Sequence, residues 1–266
     1  KELKKSKESK KLKKRKNLKN LKIKKIEIIK KMKIQKILFG FGILATTLLS
    51  CNKKDVQLPK ASQTMVKDLV DHSPVYLFFD TNGTDSLVEV NRRNTISSTN
   101  WVFNIDKRLP LKLVIPEVMQ LQEKKKSSSH NREDSMTLFS YADSIGNNLA
   151  FMPFTDVTYF FETEKSQAFI KKNASMYASI NAISVEFHKN DQLKIDGKWL
   201  TKTDFITFLK NFETLVSEEN KIVLHLNFDS QLLFQDYIQY KIFAWQQTNP
   251  KVQLSSYEFV FDAKTP

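Results

Sequence analysis

The stretch Ile222-Val-Leu-His-Leu-Asn-Phe228 decides the fold of the C-terminal half of this chain. Side chains on a strand alternate between its two faces, so Ile222, Leu224, Leu226 and Phe228 share one apolar face. An apolar face of this kind is stable only when another element covers it. The neighbouring sequence predicts elements that can do so.

Two helices are predicted on either side of this strand. The first begins at Thr201, which forms a capping-box pattern with Asp204 three residues later. The second is predicted over Leu232–Gln247. The first helix has an apolar face at helical spacing, formed by Phe205, Phe208, Leu209, Phe212 and Leu215.

The remaining C-terminal pattern is of strands. Ile183–His188 and Gln192–Ile195 alternate around Asn190-Asp191, which is typical of a β-hairpin, and Val252–Phe261 is a last strand. The order ββαβαβ predicts an α+β layer, with helices packed on one face of a sheet.

The N-terminal half predicts a similar mixture. Its predicted strands are Val75–Phe79, Leu87–Asn91, Trp101–Asp106 and Met136–Ala142, and its predicted helix is Leu111–Lys125. The polar segment Glu162–Ser175 is interpreted as a boundary. We therefore predict two small modules of mixed β-sheet with helices on one face, at residues 71–162 and 176–262.

An internal match raises the question of duplication. Ile105-Asp106-Lys107, a helix and then Phe139–Asp143 resemble Ile195–Lys198, a helix and then Leu226–Asp229, at offsets of 90 and 86 residues. Duplication and a chance match are both open interpretations of this pattern.

Residues 183–262 contain a characteristic series of elements. The series is the hairpin, Leu193-Lys-Ile-Asp-Gly-Lys198, the Thr201-capped helix and the strand that ends at Asp229, followed by a helix near Tyr237. In this series the segment resembles the periplasmic domain of the ExbD/TolR family. The resemblance implies an envelope module that dimerises or docks on proteins of import or energy-transduction assemblies, or on peptidoglycan.

The segment before the folded part has the features of a lipoprotein signal peptide. Met32 and two lysines precede the apolar run Ile37–Leu49, whose 13 residues span about 20 Å as a helix, less than the roughly 30 Å of a bilayer core. Leu48-Leu-Ser-Cys51 follows the bacterial lipobox pattern. We therefore predict a signal peptide at 32–50 and lipidation at Cys51, the only cysteine in the chain.

The predicted anchor also separates this chain from the family it resembles. Family members carry a membrane-spanning helix with an aspartate, whereas Ile37–Leu49 contains no acidic residue. No proton-coupled role is predicted. The expected location is the cell envelope, in the outer membrane facing the periplasm, with residues 51–70 as a tether.

The positive charge is concentrated at the start of the chain. The net charge is +14, and residues 1–31 alone hold 16 Lys/Arg against three acids. This segment is either a basic arm or sequence translated ahead of the true start at Met32. Residues from Cys51 onward are nearly neutral, so no nucleic-acid partner is predicted.

No residue pattern predicts a catalytic residue, a metal site or a cofactor. His72, His130, His188 and His225 lack zinc-ligand spacing, and His225 is expected to be exposed or at a sheet edge. A hydrolase would require a histidine or carboxylate pair within hydrogen-bond reach.

Two further sets of residues allow alternative interpretations. Asp143 and Asp229 each end a strand, either as turn caps or as a paired-carboxylate site. The tryptophans could stack on sugars, but core burial is expected because apolar aromatic residues are abundant in this chain; they are Trp101, Trp199 and Trp245. The sequence thus favours a non-catalytic interaction module, and the alternative is a ligand- or glycan-binding lipoprotein.

Overall fold

A computed structural model describes residues 30–31 and 54–263 of this chain. Cys51, the predicted signal peptide and all but two residues of the basic leader lie outside the described residues. Residues 55–263 form one compact unit. Among the described residues, no helix combines the length and the apolar character that crossing a membrane requires.

The first sheet has six strands in the order β1-β5-β4-β2-β3, with β6 paired to β5. Strands β1, β2, β4 and β5 are parallel, and β3 and β6 are antiparallel to their neighbours. Helix α1 (Leu111–Lys126) connects β4 to β5. The strands are β1 (Lys60–Ala61), β2 (His72–Asn82), β3 (Asp85–Asn91), β4 (Asn100–Ile105), β5 (Thr137–Asp143) and β6 (Asn148–Pro153).

The second sheet also has six strands, in the order β10-β9-β8-β11-β12-β7. Strands β8, β11, β12 and β7 are parallel, and β9 and β10 extend the sheet as an antiparallel hairpin. The strands are β7 (Thr158–Phe161), β8 (Ile180–Phe187), β9 (Leu193–Ile195), β10 (Lys198–Leu200), β11 (Lys221–Asp229) and β12 (Val252–Phe261). The helices are α2 (Ser166–Lys172), a 3-10 helix (Ala174–Tyr177), α3 (Lys202–Leu215) and α4 (Phe234–Gln246).

The predicted α+β class with two mixed-sheet modules is confirmed. The predicted boundary at 162–175 lies between β7 and β8, yet β7 pairs with β12 of the second sheet. The two sheets also share one hydrophobic core, in which Phe139 of β5 packs against Phe234 and Tyr237 of α4 at ring-centroid distances of 5.3 and 6.0 Å.

The two sheets are built on the same plan. Strands β3-β2-β4-β5-β1 correspond in order and direction to β9-β8-β11-β12-β7, and α1 corresponds to α4. In both halves an edge strand, a covering segment and a hairpin come first, and a βαβ unit completes the sheet. The architecture is therefore that of a tandem repeat.

The repeat is visible in two nine-residue segments, Phe103-Asn-Ile-Asp-Lys-Arg-Leu-Pro-Leu111 and Leu226-Asn-Phe-Asp-Ser-Gln-Leu-Leu-Phe234. Asp106 accepts a hydrogen bond from the Arg108 amide, and Asp229 accepts one from the Gln231 amide. The corresponding residues are thus 123 positions apart (229 − 106).

The offsets of 90 and 86 predicted from sequence were therefore wrong. Asp196 lies in the β9–β10 turn with a left-handed backbone (φ 47°), not in front of a helix as Asp106 does. Asp143 ends β5, whose counterpart is β12 and not β11. Local sequence likeness between two turns produced the false match.

The two repeats meet at an approximate two-fold axis. The N-cap residues of α1 and α4, Pro110 and Leu233, form an antiparallel bridge. The backbone hydrogen bonds around this bridge come in equivalent pairs, one from each repeat. Leu111 N donates to Leu232 O (2.9 Å) and its counterpart Phe234 N to Leu109 O (2.8 Å); likewise Lys112 N donates to Ser230 O (2.9 Å) and Gln235 N to Lys107 O (3.2 Å). These bonds connect the two repeats at the carboxyl ends of their parallel strands.

Most of the predicted tether is part of the fold. The Gln57 amide donates to Asp106 Oδ2 (3.1 Å), and the Gln57 carbonyl accepts from the Lys107 amide (2.8 Å). Residues 60–61 then pair with β5, and Val66 pairs with Phe151. Backbone bonds therefore hold the chain from Gln57 onward, because this segment completes the edge of the first sheet.

Candidate functional site

The strongest candidate site lies at the carboxyl ends of the parallel strands in the second sheet. Open sheets with parallel strands commonly bind ligands at this edge. Three aromatic rings form a row there, which we call the aromatic shelf: Trp199, His188 and Phe261. The His188 ring lies 4.7 Å from the Trp199 ring and 5.4 Å from the Phe261 ring, both edge to face.

The register of the hairpin places the polar side chains of this site. Glu186 of β8 pairs with Lys194 of β9, which pairs with Trp199 of β10, so the three share one face. The hairpin turn needs two left-handed residues, and Asn190 (φ 60°) and Asp191 (φ 57°) supply them.

Glu186 is the charged centre of the shelf. Its Oε2 lies 3.1 Å from Lys165 Nζ and 3.2 Å from His188 Nε2. Burial by itself raises the pKa of Glu186, but the hydrogen bonds from His188 and Lys165 outweigh burial and leave its pKa below the usual value. The Lys165 ammonium also lies 4.2 Å from the centre of the Phe261 ring.

Two clefts flank the shelf. One of about 510 Å³ is lined by Glu162, Thr163, Glu164, Lys165, Gln167, Ala168, Phe261 and Asp262. The other, of about 450 Å³, is lined by His188, Lys189, Asn190, Asp191, Gln231, Leu233, Asp236, Gln239 and Tyr240. Both clefts combine apolar surface with amide, carboxylate and ammonium groups, so each can contact the apolar face and the hydroxyls of a ligand.

Trp199 departs from the expectation of core burial. Trp101 is buried in the core at 1% exposure, but the Trp199 side chain is 55% exposed. The prediction was wrong for Trp199 because β10 is an edge strand of the sheet, where the ring packs against His188 and stays largely exposed.

Comparison with known proteins does not identify this chain. It matches no family model, no curated protein and no solved structure. The resemblance of residues 183–262 to the ExbD/TolR periplasmic domain stays a prediction.

The two strand-ending aspartates act as turn caps. Asp143 Oδ1 accepts the amides of Ile145 and Gly146 at 2.9 Å each, and a hydrogen bond from the Thr64 hydroxyl lowers the pKa of Asp143. Asp229 Oδ1 accepts the Gln231 amide at 2.9 Å. They end strands of separate sheets, and neither lines the two clefts described above.

The four histidines are dispersed over the fold. His72 and His130 are exposed, His188 belongs to the shelf and His225 is fully buried. Within residues 54–263, no three His, Cys, Asp or Glu side chains are grouped closely enough to hold a metal ion.

The prediction that His225 is exposed was wrong. Its side of the second sheet is covered by the segment between β7 and β8, and its ring packs against Tyr177 (5.3 Å) and Phe259 (6.2 Å). Neither ring nitrogen has a hydrogen-bond partner among the described residues, and burial lowers the pKa of His225 to about 4.

We expect His225 to weaken the fold in acid. Below the ordinary pKa of about 6.5, His225 is protonated in the unfolded chain but stays neutral in the folded chain. The free energy of unfolding therefore falls as the pH is lowered from 6.5 to about 4. The His225→Phe variant should lack this penalty, which we expect to be about 2–3 kcal/mol at pH 4.5. Urea unfolding of both proteins at pH 7.5 and 4.5 measures the difference.

Exposed His130 provides the control. The His130→Ala variant should follow the unchanged protein at both pH values. If His225→Phe and the unchanged protein lose equal stability on acidification, His225 is not the group responsible.

Glu186, Lys165 and Phe261 were not predicted as site residues from the sequence. The alternation of the predicted strand 183–188 placed Glu186 and His188 on one face, and this was the available signal. Lys165 reaches Glu186 from the segment after β7, 21 residues earlier in the chain, and no local pattern reports that contact.

Proposed function

We propose that this protein is a lipid-anchored, non-catalytic binding module of the cell envelope, and that it binds a glycan at the aromatic shelf. The observation that carries the proposal is the exposed Trp199 ring beside His188 and the charged Glu186–Lys165 pair. The apolar face of a sugar ring packs on an indole, while sugar hydroxyls bond to the neighbouring polar groups.

The state of Glu186 supports binding over hydrolysis. Glu186 and His188 are within hydrogen-bond reach, as a hydrolase would require. A general base works best with a pKa near the working pH, whereas pairing with Lys165 and His188 moves the pKa of Glu186 in the opposite direction. Glu186 is therefore suited to accept hydrogen bonds from a ligand.

Contact with an envelope protein is a second candidate function, and strand β3 supports it. Among the described strands β3 pairs only with β2, which leaves its other edge open, and Leu87 on it is 45% exposed. An open strand edge can add a strand from a partner or from a second copy of the chain.

Replacement of Trp199 tests the glycan proposal. We expect the full chain in detergent to bind soluble cell-wall glycan fragments in calorimetric titrations, and Trp199→Ala to weaken that binding about tenfold or more, or 1.4 kcal/mol. The loss reflects the missing stacking surface.

Leu215→Ala is the matched control, since Leu215 is 82% exposed on α3. It should leave glycan affinity unchanged. The proposal fails if no glycan fragment binds the unchanged protein, or if Trp199→Ala binds as well as the unchanged protein does.

A further inference from the structure

We infer that one particular edge of the fold rests on the lipid bilayer. This edge, which we call the anchor edge, contains Gln57, Lys60, Lys107, Ile145 and Leu233. The inference rests on the lipidation of Cys51, which is part of the proposed function, and adds which surface of the fold meets the membrane.

The chain after Cys51 is attached to the fold at this edge. Gln57 bonds to Asp106 and Lys107 just beyond the end of β4. The Lys60 amide donates to Gln235 Oε1 (2.9 Å), and the Lys60 carbonyl accepts from Gln235 Nε2 (2.8 Å). These bonds hold the chain on both sides of residue 58 at the place where the two repeats meet.

The length of the connection limits which edge can reach the bilayer. Gln57 is six residues after Cys51, so even a fully extended chain puts them no more than about 20 Å apart. Strand β5 has seven residues, so the opposite end of the first sheet, where its parallel strands begin, lies about 20 Å farther away. Bringing Cys51 to the opposite end would require a nearly fully extended connection that runs back along the sheet, whereas any conformation of these six residues keeps Cys51 within reach of the anchor edge.

The composition of the anchor edge suits a lipid surface. Ile145 in the β5–β6 turn is 72% exposed, and Leu233 at the meeting point of the repeats is 42% exposed. Lys60 and Lys107 lie beside them, and the nearby carboxylate of Asp106 is ion-paired with Arg108 (2.8 Å). Apolar tips can enter the headgroup boundary while lysine ammonium groups bind lipid phosphates.

The lipid supplies the affinity in this arrangement, and the anchor edge supplies the orientation. A few apolar side chains contribute little binding energy alone, but a lipid anchor raises their local concentration at the surface. Leu233 also lines the cleft of about 450 Å³, and Gln239 in that cleft donates to the Lys60 carbonyl. The cleft therefore adjoins the anchor edge.

Fluorescence quenching by labelled lipids tests the orientation. Acylation consumes Cys51, so an introduced cysteine is the only free thiol of the lipidated full chain. Ile145→Cys marks the anchor edge. Ile96→Cys marks the opposite end, because Ile96 is 60% exposed and its amide bonds to Ser73 at the start of β2.

Each variant is labelled with an environment-sensitive dye and bound to phosphatidylethanolamine–phosphatidylglycerol nanodiscs with a headgroup-spin-labelled lipid. We expect quenching at position 145 to be at least threefold stronger than at position 96. Equal quenching, or stronger quenching at position 96, in a bound chain overturns the orientation and leaves the anchor intact. A chain that does not bind the nanodiscs overturns both, and neither outcome depends on glycan binding.

Discussion

Replacing Lys241 with methionine is expected to lower the free energy of unfolding by about 3–5 kcal/mol. Lys241 of α4 and Glu258 of β12 form an ion pair inside the core, with 7% and 1% of their surfaces exposed. Removing the ammonium leaves the Glu258 carboxylate buried without an opposite charge. Urea unfolding at neutral pH measures the loss.

The rest of the network cannot replace the missing ammonium. Tyr237 donates its hydroxyl to Glu258 Oε2 (2.8 Å), and the Tyr159 hydroxyl lies 3.0 Å from that of Tyr237. Burial raises the pKa of both tyrosines well above the ordinary value, so they stay neutral. The network can share a hydrogen bond with Glu258 but supplies no charge.

A double variant and an exposed pair complete this experiment. Lys241→Met combined with Glu258→Leu should recover most of the loss, since no buried charge remains. Lys172→Met breaks the pair with Glu164 on the surface (2.7 Å) and should cost under about 1 kcal/mol. A single Lys241→Met variant as stable as Lys172→Met would contradict the role assigned to the buried pair.

Asn227→Ala is expected to cost about 2–4 kcal/mol and to loosen α2 in particular. Asn227 is fully buried; its Oδ1 accepts the Ser166 amide (2.7 Å), and its Nδ2 lies 2.8 Å from Ser166 Oγ and 3.1 Å from the Val185 carbonyl. Alanine removes the acceptor of the buried Ser166 amide, while Ser166 Oγ keeps only its bond to Ser184 Oγ (2.7 Å). Hydrogen exchange over residues 163–177 together with urea unfolding measures both effects.

Asn104 is the natural control, because it occupies the corresponding position in the first repeat. Its Nδ2 donates to the Val75 and Val102 carbonyls at 3.4 and 3.3 Å, just as Asn227 Nδ2 donates to the Val185 and His225 carbonyls at 3.1 and 3.2 Å. Asn104 is only half-buried and does not bond to the first residue of a helix as Asn227 does. Asn104→Ala should therefore lower the free energy of unfolding by about 1 kcal/mol. Equal costs and unchanged exchange near α2 would show that Asn227 does not hold that segment.

The candidate site was only partly predictable. Alternation and turn chemistry placed Glu186, His188 and the Asn190-Asp191 turn on one hairpin. The sequence did not show that Phe261, 73 residues after His188, ends its strand beside that ring. It also did not show that Trp199 stays exposed, because exposure depends on which edge of the sheet other elements leave open.

The individual elements were set by the sequence alone. Thr201 and Asp204 form the predicted capping box, and β12 covers the predicted Val252–Phe261. The predicted lipidation of Cys51 likewise rests only on neighbouring residues. Such features can be predicted from sequence because a cap, a turn or the apolar face of a helix depends on residues only a few positions apart.

Tertiary structure alone decided how these elements combine. It joined β7 to β12 across 99 residues (257 − 158), attached Gln57 to the loop after β4, and buried His225 under the segment after β7. It also set the true register of the repeat, through bonds exchanged around Pro110 and Leu233. These pairings depend on which apolar surfaces and open strand edges remain to be covered once the local elements exist, and that is a property of the whole chain.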